Sequence, residues 1–68
     1  MKEKLVRYWE RKERQMKEYP EGKIAYFSQA FGALDFAMEA TNTWDEEEEL
    51  VDLWNNEWRG RLEKLIYG

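Results

Sequence analysis

The chain has no cysteine and no histidine, one proline, four isolated glycines, and no apolar run near the length of a membrane span. Each absence excludes something. Without cysteine there is no disulfide framework, and nothing in the thiol content implies an oxidising compartment. Without histidine, the commonest general base and the commonest metal ligand are missing. Gly22, Gly32, Gly60 and Gly68 stand singly, so no glycine-rich loop is there to cradle a phosphate. The first nineteen residues, MKEKLVRYWERKERQMKEY, are too charged for a signal peptide. A soluble cytoplasmic protein is the expectation.

What is present is helical and aromatic. Sixty-eight residues allow one domain, residues 1–68, and one small core. Four Trp, four Tyr and three Phe strengthen that core, because each large ring buries roughly 150 to 250 Å². So many rings in so short a chain leave some for a partner or a second copy. The formal charge is −4, and it is unevenly spread: bases outnumber acids up to Lys23, and acids dominate afterwards, most densely in WDEEEELVD.

The segment KIAYFSQAFGALDFAMEA organises the rest. Ile24, Phe27, Phe31, Leu34 and Met38 recur at steps of three and four and form one helical row; Tyr26, Ala30, Ala33, Ala37 and Ala40 form a second beside it. A helix apolar on so much of its circumference is expected to have a neighbour on each side. Gly32 inside it predicts close approach of another backbone. Phe36 lies away from the main row, either under a third helix or exposed for contact with a partner.

Before this segment, Leu5, Trp9, Lys12, Met16 and Tyr19, with Tyr8 alongside, make one stripe of an amphipathic helix whose far side carries Lys4, Arg7, Arg11 and Arg14. Pro20 ends that helix near Tyr19, and the short link makes the first two helices antiparallel. After the segment, Thr41-Asn42-Thr43 is a second break, and Thr43 with Glu46 has capping-box spacing. A long last helix follows, with Val51, Trp54, Trp58, Leu62 and Leu65 inward and Leu50 and Ile66 on the edges. The fold class is all-α: a small three-helix up-down-up bundle with helices at about 2–19, 22–41 and 44–67. An alternative opens the bundle and pairs the long third helix across a two-fold axis in a homodimer.

No catalytic constellation is visible. Ser28, Thr41 and Thr43 have no activating base, and the paired acids of the last helix point to water instead of into two different environments. Glu48 with Asp52, or Asp45 with Glu49, offers too few oxygens for calcium or magnesium. No enzyme activity, cofactor or metal is expected. The first helix, with its basic stripe, is interrupted by Glu3, Glu10, Glu13 and Glu18 on a chain that is acidic overall, which disfavours direct nucleic-acid binding.

The acidic stripe has more to offer. Asp45, Glu49 and Asp52 share a row, with Glu48 beside it and Asn56 continuing it, and no base occurs between Trp44 and Trp58. Carboxylates spaced about 5 to 6 Å along a helix approximate the spacing of phosphates on a nucleic-acid strand. The ordinary role for such a row is a solvated face, partly neutralised by Lys2, Lys4, Arg7 and Arg11 of a parallel first helix. The functional reading is a non-enzymatic protein-binding module, an inhibitor or regulator whose Trp44, Asp45, Glu48, Glu49, Asp52 and Phe36 contact a protein with a basic surface. One concrete form is a phage or mobile-element protein that mimics nucleic acid against a DNA- or RNA-handling enzyme. The rival reading is an assembly protein that homo-oligomerises through surplus aromatic surface.

Overall fold

A computed structural model describes residues 2–41 and 43–67. Helix α1 spans Lys2–Glu18 and buries the predicted stripe of Leu5, Trp9, Lys12 and Met16, while Tyr19 stays exposed. It stops because Tyr19, ahead of the proline, takes φ −128° and ψ 75°, outside helical geometry. Pro20–Gly22 forms one 3₁₀ turn, closed by the Gly22 amide donating to the Tyr19 carbonyl at 3.0 Å. Helix α2, Lys23–Ala40, follows at once and ends at Thr41, which is extended and whose hydroxyl donates to the Met38 carbonyl at 2.8 Å.

Of the second predicted break, Thr41 and Thr43 are seen as non-helical; Asn42 lies outside the described residues. Thr43 caps helix α3, Trp44–Leu53, its hydroxyl accepting from the Glu46 amide at 3.2 Å as the spacing predicts. The last helix is not one regular cylinder. A π-turn over Trp54–Trp58 separates α3 from α4, Arg59–Tyr67, and the axis continues through it. The buried residues explain the turn. Leu50, Trp54, Trp58 and Leu62 are all buried and follow one another at steps of four. Each such step overshoots a helical turn by about 40°, so three would carry the row about 120° around an α-helix and out of the core. One wider π-turn takes up a residue and returns the row to the core.

The three helices pack as an up-down-up bundle measuring 37 × 18 × 16 Å, with no strand among the described residues. Pairing of Lys2 with Glu49 and of Glu13 with Arg61 shows that α1 and the α3–α4 helix run in the same direction. The centre is aromatic. Trp9 lies 5.3 Å from Trp54 and 5.9 Å from Trp58, ring centre to ring centre, and Phe27 and Phe31 reach Trp54 from α2 at 5.7 and 5.9 Å.

These indoles decide which side of α2 is inward: the helix contacts both α1 and the α3–α4 helix, as expected, but its main apolar row is not covered along its length. Ala30, Leu34 and Ala37 are buried, whereas Ile24 is 71% exposed and Phe31 54%. The seam between the two rows faces the core, and the short side chains of Ala30 and Ala37 let α2 close against the three tryptophans that already occupy it. Gly32 meets nothing: a Cβ placed there would find no atom within 4 Å, so no backbone crosses it within the monomer. Gly60 is equally open. Phe36 is 73% exposed and uncovered by the third helix.

Candidate functional site

The Thr43 cap sets where the acidic face begins. It starts α3 one residue before Trp44, which is left 85% exposed, and places Asp45, Glu46 and Glu47 in the first turn, where the positive end of the helix dipole favours carboxylates. Leu50 anchors the opposite side in the core. Asp45, Glu48, Glu49 and Asp52 are therefore all solvent-exposed, as predicted.

They line one feature. An open groove of about 450 Å³ runs along the outer side of α3, bordered by Asp45, Glu48, Glu49 and Asp52, continued by Asn56 and Glu57, and closed on the α1 side by Lys2. The Lys2 ammonium donates to Glu49 Oε1 at 2.6 Å. That hydrogen bond, and then the Glu49 charge itself, raise the Lys2 pKa above its ordinary value. Among the described residues, Lys2 is the one base of α1 that pairs with this face; Lys4, Arg7 and Arg11 make no ion pair with it. Internal neutralisation among the described residues thus reaches Glu49, and Glu57 through Arg61, and no ion pair forms there at Asp45, Glu48 or Asp52. Leu53 gives the groove an apolar floor.

Trp44 stands at the start of this face, on the side toward Thr41 and Glu47. Phe36 is not part of it. It projects from the outward side of α2, so the six residues grouped by sequence fall on two separate surfaces.

Two features were missed in sequence. Glu57 and Leu53 border the groove, and the π-turn is what swings the continuation of the acidic row around; steps of four from Leu50 to Leu62 were the available signal. The other is the set of partners around Lys12, a member of the predicted stripe that is only 9% exposed: its ammonium donates to Gln29 Oε1 at 2.6 Å and lies 5.0 and 5.4 Å from the ring centres of Tyr8 and Tyr26. At the far end of the bundle, Arg61 holds Glu13 through two hydrogen bonds of 2.8 and 3.0 Å and stacks 4.1 Å over Trp58. This is a structural clasp between α1 and α4. Among the described residues, no three acids converge in a way that could hold a metal ion, and no helix is long and apolar enough to cross a membrane. No protein family, curated protein or solved structure matches the chain.

Proposed function

We propose that this chain is a non-enzymatic binding module whose working surface is the outer face of α3. The observation that carries the reading is the set of exposed carboxylates Asp45, Glu48 and Asp52, which form no ion pair with another described residue and are flanked by the exposed Trp44 indole. Charges held outward on a rigid capped helix speed encounter with a basic surface more than they tighten the complex. An exposed tryptophan at their edge supplies the apolar anchor that such complexes need. The partner is a protein with a cationic groove of the kind that holds nucleic acid. Rise along the helix spaces Glu48 and Asp52 by about 6 Å, close to the interval between strand phosphates. Inhibition or regulation of a DNA- or RNA-handling protein, of the type encoded by phages and mobile elements, is the function this supports.

Affinity capture from a lysate with wild-type chain, followed by mass spectrometry, identifies the partner. The same capture is repeated with Asp45, Glu48, Glu49 and Asp52 all replaced by Ser. Circular dichroism of that variant should remain helical, capture should be lost, and excess duplex DNA or RNA should compete with the wild type. Undiminished capture by the quadruple variant would reject the acidic face.

A second reading has its own observation. Phe36 and Ile24 expose apolar surface on α2, which does not border the acidic groove of α3, and this favours self-association of the chain.

A further inference from the structure

The outward face of α2 carries a knob and a hole of matching size. Phe36 is the knob, with its ring 73% exposed. The hole is the diamond of Ala25, Ser28, Gln29 and Gly32, all exposed and spaced i, i+3, i+4 and i+7, the four positions that receive one side chain from a facing helix. Three of the four are among the smallest side chains, and above Gly32 there is open space.

We infer that two copies of this chain form a two-fold dimer through α2, with the two helices antiparallel and crossing at Gly32. Phe36 of each copy then fills the diamond of the other. The register follows from the spacing. In an antiparallel pair centred near residue 32, position 36 of one helix lies level with position 28 of its partner, the middle of the diamond. A helix face that bears its own knob and its own hole at symmetric distances from one residue is self-complementary, as a two-fold interface requires.

Charge favours the same arrangement. Helix α2 has no acid in its first turn and no base in its last; its acids, Asp35 and Glu39, lie in the C-terminal half, where its own dipole disfavours them. Antiparallel pairing sets Glu39 of one copy level with Ala25 of the other, beside the positive end of that helix and its Lys23. The opposing N-terminal half, Lys23 to Gln29, contains no acid. A parallel pair would instead place acid beside acid.

The area is modest. Phe36 is the one large apolar side chain on the Gly32 face, and Phe31 and Ile24 lie on its flank. One 18-residue helix per copy makes an interface at the low end of specific contacts, so dissociation constants on the order of 1 to 100 µM are expected. No α2 residue borders the acidic groove, so the dimer leaves it free and presents it twice.

Sedimentation equilibrium of the purified chain from about 1 to 500 µM tests this without any partner protein. Wild type should pass from monomer to dimer. Gly32→Gln enters open space in the monomer and should keep full helicity while weakening the dimer at least tenfold; Phe36→Ser should do the same. Trp44→Ser and the quadruple Ser variant should leave dimerisation unchanged. Since no native cysteine interferes, Gly32→Cys should oxidise to a disulfide-linked dimer much faster than Gly60→Cys, which is equally open. A monomer at every concentration, a dimer insensitive to Gly32→Gln and Phe36→Ser, loss of the dimer in Trp44→Ser, or equal cross-linking at both cysteines would each overturn the inference.

Discussion

The indole Nε1 of Trp9 donates to the main-chain carbonyl of Ala30 at 3.0 Å, tying α1 to α2 at a point where neither residue has any exposure. The small side chain at position 30 is what lets the indole reach the backbone, and the contact fixes the axial register of the two helices. Trp9→Phe should lose this hydrogen bond and leave a partial void, a cost of about 2 to 4 kcal/mol. For a domain of this size, total stability is about 3 to 10 kcal/mol, so urea denaturation followed by circular dichroism should show a large fall in midpoint. A midpoint within the error of wild type would mean that the bond is not the register pin.

Lys12 is buried with a glutamine and two tyrosines, and no carboxylate of the described residues forms an ion pair with it. Its stem does the packing, and its ammonium bears the desolvation. Lys12→Met keeps the stem and should leave stability within about 1 kcal/mol of wild type. Lys12→Ala removes the stem and should cost clearly more, about 2 kcal/mol. Equal losses in both variants would show that the charge, through Tyr8, Tyr26 and Gln29, is the larger contribution.

Thr43→Ala removes the oxygen that accepts from the Glu46 amide and should destabilise the domain by about 1 kcal/mol. Thr43→Asp should restore the cap and with it the melting temperature. If both substitutions lower it equally, the cap is not what starts α3.

The Lys2–Glu49 pair has a defined pH signature. Because the folded-state pKa of Lys2 is raised by its hydrogen bond to Glu49 and then by that residue's charge, its contribution is fully present below the unfolded-state lysine pKa. It disappears as pH rises through the elevated folded value. The melting-temperature difference between wild type and Lys2→Met should therefore hold across neutral and mildly alkaline pH, shrink at strongly alkaline pH, and narrow with added salt. Both side chains are about half exposed, so the difference is small at any pH.

The π-turn makes an unusual prediction about chain length. Deleting Asn55 would convert the steps of four between Leu50 and Leu62 into four, three and four, the pattern of a regular α-helix, so the buried row stays buried. A one-residue deletion in the middle of a helix should here be tolerated. Inserting one alanine after Asn55 rotates α4 by about 100° the wrong way and should unfold the domain. Equal damage from both changes would refute the drift argument.

Much of this fold was legible in the residues. The α1 stripe, the stop at Tyr19-Pro20, the Thr43 cap and the outward set of Asp45, Glu48, Glu49 and Asp52 all follow from local rules, which act within a turn or two of chain. The sidedness of α2 does not. Its two apolar rows are equivalent by periodicity, and the choice of Ala30 and Ala37 over Ile24 and Phe31 depends on the volume of Trp9, Trp54 and Trp58, supplied from other helices. Gly32 illustrates the same limit: its open surroundings within the monomer are a tertiary fact. The separation of Phe36 from Trp44 is another, since sequence grouped them by aromatic character alone.

The uneven burial of the four indoles gives the molecule a built-in optical probe. Trp9, Trp54 and Trp58 are sealed against one another, and Trp44 stands in water one residue before Asp45, which borders the acidic groove. A soluble quencher such as acrylamide should extinguish the red-shifted emission of Trp44 and spare the other three. Occupation of that groove can therefore be followed by light, without labelling, in the unmodified chain.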